Sequence, residues 1–224
     1  MRLDNQIALS KNYYQVIKKE IYEDIIFSIM SDSKILFMGN YKKIDSQSNG
    51  ECDYIELDNN GNIIKKFDAK ILFLNKACQY IAKNNISSFL EELKNSINET
   101  YDCILNNKDL EKTALYQELL YDLDSRLKDD ENGILFFPFH FSLKHKDSLV
   151  YNLGQDNIES LFNCIKNNKP NLFSNRDLFF ITLNDFNQTV IYWLTSSYGI
   201  NKYEFIDKNY LDDYIDLVNI KVSI

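Results

Sequence analysis

Gly133-Ile134-Leu135-Phe136-Phe137-Pro138-Phe139-His140-Phe141 is the most apolar run in the chain, and it holds one of the two prolines and one of the two histidines. A short continuous apolar run opened by glycine reads as a buried strand. Helical periodicity dominates before it and strand periodicity after it. The run therefore joins the two halves through one core. The reading is α+β, a mixed and mostly antiparallel sheet covered by helices, with a helix-rich N-terminal half and a strand-rich C-terminal half. Residues 1–224 are expected to form a single domain, with a possible sub-boundary at the acidic turn 129–133.

Upstream, Tyr14, Ile17, Ile21, Ile25 and Ile29 recur at helical spacing and predict a helix from Gln6 to Met30. Ile35-Leu36-Phe37-Met38 reads as a short strand that leaves at Gly39-Asn40. Residues 53–57 and 63–67 flank Asn59-Asn60-Gly61-Asn62, and a type I′ turn at Asn60-Gly61 would pair Leu57 with Ile64 and Tyr54 with Phe67. Three helices are expected next: 70–83, one opening at a capping box Ser88-Phe89-Leu90-Glu91, and one presenting Leu110, Leu119, Leu123 and Leu127. The middle one has the cleanest amphipathic face, through Phe89, Leu90, Leu93, Ile97, Tyr101 and Ile104.

Downstream, Leu149-Val150-Tyr151 is a short strand. Asp156 caps a helix with Ile158, Leu161, Phe162 and Ile165 inward, and Asn167-Asn168-Lys169-Pro170 stops it. Residues 178–183 and 189–194 form adjacent strands, 203–206 a third, and a last helix opens near Asn209.

The charge is −8, and Arg2, Arg126 and Arg176 are the only arginines. Phosphate-binding surfaces carry an excess of Lys and Arg, so nucleic acid is disfavoured as the main ligand, local lysine patches aside. A basic protein partner suits the acidity better. Cys52, Cys78, Cys103 and Cys164 form no C-x-x-C, which argues against a zinc ribbon or dithiol site, and the three in helical patterns behave as small apolar residues. The first five residues lack the apolar core of a signal peptide, and no run approaches the ~20 residues of a membrane helix. The expectation is a reduced, cytoplasmic protein without membrane contact.

Two candidate chemistries follow. His140-Phe141-Ser142 has the H-x-S form of two-histidine phosphoesterases, but the second copy such enzymes need is missing, since His145-Lys146-Asp147 does not supply it. Asp58-Asn59-Asn60-Gly61-Asn62 fails the calcium-loop test, because the sixth and twelfth positions hold Ile63 and Ala69. Phosphate-loop, dinucleotide, nucleophile-elbow and H-E-x-x-H motifs are absent. The nearest E-x-K is Glu92-Leu93-Lys94, on a helix where a metal-dependent nuclease would want a strand. The aromatics of 134–141 and 178–193 belong to a core before they belong to a pocket.

Residues 203–218, a strand followed by a helix, resemble the tail of a class of bacterial immunity proteins. That resemblance implies inhibition by occlusion. The first expectation is accordingly a non-catalytic acidic binding module that meets a basic partner through Asp129, Asp130, Glu131, Asp212, Asp213 and Asp216, with Tyr198 as anchor and no cofactor or metal. The alternative is a small hydrolase or phosphoesterase acting on a nucleotide or phosphoester, with His140, Ser142 and Lys144 near the reaction centre. A third is a structural subunit whose apolar strands pair in an oligomer.

Overall fold

The computed structural model of the chain describes residues 11–44, 52–81, 83, 85–106, 108–126, 131–138, 142–145, 148–151, 155–174, 176–183, 188–195, 199–208 and 210. The elements in order are α1 (Lys11–Asp32), β1 (Asn40–Lys43), β2 (Tyr54–Leu57), β3 (Ile63–Ile71), α2 (Leu74–Ile81), α3 (Ile86–Leu105) and α4 (Ala114–Arg126). Then come β4 (Asn132–Phe136), β5 (Ser142–His145), β6 (Ser148–Tyr151), α5 (Gln155–Asn168), β7 (Leu178–Leu183), β8 (Thr189–Thr195) and β9 (Gly199–Ile206). The architecture is α+β, with most helices in the first half and most strands in the second.

Seven strands form one mixed sheet in the order β1-β2-β3-β4-β7-β8-β9, and β5 and β6 form a separate antiparallel pair. Strand β4 is the middle strand and runs parallel to both neighbours, whereas the other four pairings are antiparallel. Its alternation feeds two cores. Ile134 and Phe136 lie with Tyr22, Ile25, Ile26, Ile29 and Met30 of α1, while Leu135 and Phe137 lie with Phe89, Leu93, Leu119, Ile158 and Phe162 of the other helical layer. Helices thus cover both faces, as parallel strands require. The inward residues predicted for α5, namely Ile158, Leu161, Phe162 and Ile165, are all buried. So are Phe89, Leu93 and Ile97 on α3.

Several elements depart from the periodic reading. The apolar strand stops at Phe136, so His140 lies outside both β4 and the described residues. Residues 70–83 are not one helix: β3 continues to Ile71 and α2 begins only at Leu74. The break is Phe73, whose φ of 62° is left-handed. A bulky side chain there carries strain on the order of 1 kcal/mol, offset by its burial against Phe137. Helix α3 starts at Ile86 rather than at a Ser88 capping box, and the Ser88 hydroxyl donates to the Asn85 side chain. Asp156 sits inside the first turn of α5 instead of capping it.

The hairpin forms with Tyr54 opposite Phe67 as expected, but a bulge between Glu56 and Leu57 pairs Leu57 with Ile63 rather than Ile64. Gly61 alone takes positive φ, 83°, so the turn is not type I′. The Asp58 carboxylate organises it instead, accepting the backbone N–H groups of Asn60 and Asn62 at 2.8 Å each. This is the local side-chain competition that Asp offers to backbone turns.

Residues 35–38 form no strand; the N–H of Phe37 goes to the Ser33 hydroxyl, and those of Ile35 and Leu36 have a more distant acceptor. Glu204 of β9, buried on the α1 side of the sheet, takes the N–H groups of Lys34 at 2.7 Å, Leu36 at 3.1 Å and Ile35 at 3.3 Å, and the Ser33 hydroxyl at 2.6 Å. One carboxylate thereby ties the exit of α1 to the far end of the sheet. Replacing it leaves several part-buried donors without an acceptor. Glu204→Ala should lower unfolding free energy by about 3 kcal/mol, with Glu204→Gln retaining part of it, as read by urea denaturation.

Candidate functional site

Strand β3 changes character halfway along. Ile63 to Lys66 are exposed, and Phe67, Asp68, Ala69 and Ile71 are buried. Phe67, Ala69 and Ile71 point into the α1 core, so Lys66, Asp68 and Lys70 lie on the opposite face by strand alternation. Tyr54 also points to α1 and donates its hydroxyl to the Glu23 carbonyl at 2.8 Å. Asp53 and Ile55 therefore share the face of Asp68. The antiparallel register that seats Tyr54 opposite Phe67 brings Asp53 beside Asp68.

The result is two buried carboxylates and an ammonium on neighbouring strands. Asp53 accepts the N–H of Ala69 at 2.7 Å through Oδ2, which locks its side chain across the strand pair. The Lys70 ammonium donates to Asp68 at 2.5 Å, with both side chains largely shielded. Burial pushes the Asp68 carboxyl up to about 6; Lys70 pulls it down, and a hydrogen bond and charge from Asp53 push it further up. Gly133 of β4, the cross-strand partner of Asp68, puts no side chain on this face.

Such a pair can hold a cation. Magnesium is commonly bound by one or two carboxylates, with waters and substrate phosphate completing an octahedron, and the adjacent buried carboxylates of Asp53 and Asp68 supply that number. Among the described residues no group of three or more His, Cys, Asp or Glu could hold a metal ion.

The predicted site residues are distributed otherwise. Glu131 is buried, 3% exposed, so it is no rim charge for a partner; with burial it pushes the Cys52 thiol up. Ser142 and Lys144 lie on the β5–β6 pair, apart from the main sheet. His140, Asp129, Asp130, Tyr198, Asp212, Asp213 and Asp216 fall outside the described residues, as does the last helix expected after Asn209. Phe136, Phe137, Phe179, Phe180 and Tyr192 are all core residues, not pocket lining. A shallow groove on α3 is lined instead by Ser88, Glu91, Glu92, Asn95, Ser96 and Glu99. Within it Glu92 is held by Lys76 and the Tyr80 hydroxyl.

Helical periodicity over 70–83 masks Asp68-Ala69-Lys70 in the sequence, whereas β3 continues through Ile71. An acid-x-Lys triplet fifteen residues after another acid, on the far side of a hairpin turn, was the available signal.

A raised Asp68 has a definite linkage sign. The native carboxyl binds its proton near pH 6 and the unfolded one near 3.8, so the native state holds more protons between these values. Stability should therefore fall as pH rises from 4 to 6 and level off above. Measured in chelator against Asp68→Asn, whose charge does not titrate, the wild type should lose ground over that window, by at most about 1.4 kcal/mol per pH unit. Among the described residues no helix is long and apolar enough to cross a membrane. No protein-family model matches the chain, and neither does a curated protein or a solved structure.

Proposed function

We propose that the chain is a divalent-cation-dependent hydrolase of phosphodiester bonds, with Asp53, Asp68 and Lys70 at its centre. The observation that carries the reading is the buried Asp53–Asp68 pair with Lys70 beside it on adjacent strands. Two carboxylates forced together without full solvation repel, and a dication relieves that repulsion. When bound, magnesium or manganese would polarise the phosphoryl group and activate water. Asp53 and Asp68 would supply the anionic oxygens to hold it, and the Ala69 N–H keeps Asp53 oriented.

Lys70, held against Asp68 at 2.5 Å, would offer its positive charge to the negative charge that the phosphate gathers during attack. The net reaction is simple: a water oxygen bonds to phosphorus, one ester P–O bond breaks, and the departing oxygen takes up a proton. Four free cysteines fit a reducing, cytoplasmic setting.

The test is manganese-dependent hydrolysis of bis(p-nitrophenyl) phosphate. Asp53→Asn, Asp68→Asn and Lys70→Ala should each lower it by about 100-fold or more, with unchanged circular dichroism, and His140→Ala should leave it intact. No cation-dependent hydrolysis by the wild type, or loss confined to His140→Ala, would sink the reading.

A second reading, capture of a basic protein, draws on the exposed Glu91 and Glu99 of the α3 groove. Paired Glu91→Lys and Glu99→Lys should then abolish salt-sensitive capture of a basic partner. Retained capture counts against it.

A further inference from the structure

The lysines of β1 to β3 are not equivalent. Lys43 turns to α1 and pairs with Asp24, Lys65 reaches Asp177 at 3.4 Å, and Lys70 serves Asp68. Lys42 and Lys66 remain exposed, and among the described residues neither has an ion-pair partner. Register places them together: Lys42 lies opposite Ile55 and Ile55 opposite Lys66, so the three form one transverse row on one face. Ile55 in the middle is buried although both flanking lysines are exposed. Long lysine stems cover apolar neighbours in this way while the ammonium groups stay in water.

This row sits on the same face as the carboxylates, one same-face step away, because Lys66 precedes Asp68 by two residues. Two residues of strand span ~7 Å, and two strand spacings separate Lys66 from Lys42 by ~10 Å. On this face of β3 Ile64 and Lys66 are exposed, and burial begins at Asp68. A single phosphodiester held at Asp53 and Asp68 would not reach Lys42. A chain of phosphodiesters would lie over all of them.

From this geometry we infer that Lys42 and Lys66 form a second phosphate subsite that positions a nucleic-acid strand across β1 to β3 into the Asp53–Asp68 centre. The inference rests on the phosphodiesterase reading and names its substrate class. The overall charge of −8 opposes nucleic acid only on average. On the face that carries the row, Lys42 and Lys66 are exposed, whereas the acids beside them, Asp53, Asp68 and Glu131, are buried. The subsite contacts phosphates alone, which makes it a positioning device with no base specificity.

The experiment measures binding of labelled single-stranded DNA and RNA oligonucleotides to the full chain in calcium, across a salt series. In parallel, manganese-dependent hydrolysis of bis(p-nitrophenyl) phosphate is followed. The double variant Lys42→Ala/Lys66→Ala should bind an oligonucleotide about tenfold more weakly, with the log–log salt slope shallower by about 1.4. Hydrolysis of the small diester should not change. Preference between the DNA and RNA arms identifies the natural strand.

A wild type that binds neither oligonucleotide, or a double variant with unaltered affinity and slope, overturns the inference even if the small diester is hydrolysed. Salt-dependent binding that needs both lysines, without diester hydrolysis, upholds the subsite and sinks the catalytic reading instead. Parallel loss of binding and diester hydrolysis would mark a structural role and also overturn it, with Lys42→Gln/Lys66→Gln as the milder pair if alanine impairs folding.

Discussion

Strand β4 accepts parallel partners on both edges and buries both faces, and this four-sided demand organises the molecule. Parallel neighbours cannot be joined by tight hairpins, so the chain must leave the sheet and return. Between β3 and β4 it does so through α2, α3 and α4, and between β4 and β7 through β5, β6 and α5. Those excursions supply one helical layer, and α1 supplies the other. Ile134 and Phe136 answer to α1, Leu135 and Phe137 to the remaining helices. A polar residue at any of these positions would face a core without a partner.

The same strand packing creates the candidate site. On the second face of β3 Ile64 and Lys66 are exposed, and burial begins at Asp68. Asp53, Asp68 and Lys70 occupy the boundary. There they are shielded enough to raise the Asp68 carboxyl, yet adjoin an exposed row that begins with Lys66. Farther under the helices the carboxylates would be neutral and inaccessible. Farther out they would be ordinary solvated acids. At the boundary, burial changes the chemistry of Asp68.

Much of the architecture was legible. The alternation of residues 178–183 and 189–194, the helical face through Ile158, Leu161, Phe162 and Ile165, and the pairing of Tyr54 with Phe67 each follow from a period of 2 or 3.6. The site was less legible because two periods collided. Ile71, Leu74, Cys78 and Ile81 fit a helix, so Lys70 was assigned to one, and its two-residue spacing from Asp68 lost its meaning as a strand spacing. Only the backbone turn at Phe73, at φ 62°, separates the two elements. Residues 35–38 depart for a different reason: the N–H groups of Ile35 and Leu36 are taken by Glu204, some 170 residues away and outside any local window, and that of Phe37 by the Ser33 hydroxyl.

The sequence by itself determined the fold class, the inward faces of α3 and α5 and the existence of the β2–β3 hairpin, because burial periodicity and turn chemistry are local properties of the chain. Tertiary structure decided which charges meet. Glu131 became a buried group rather than a surface charge, Lys43 and Lys65 were drawn into ion pairs, and Lys42 and Lys66 were left in one exposed row. Asp53 was set against Asp68 by a strand register. Charges act across space and through the dielectric around them, and both are fixed only once the strands have paired and the helices have covered one end of the sheet.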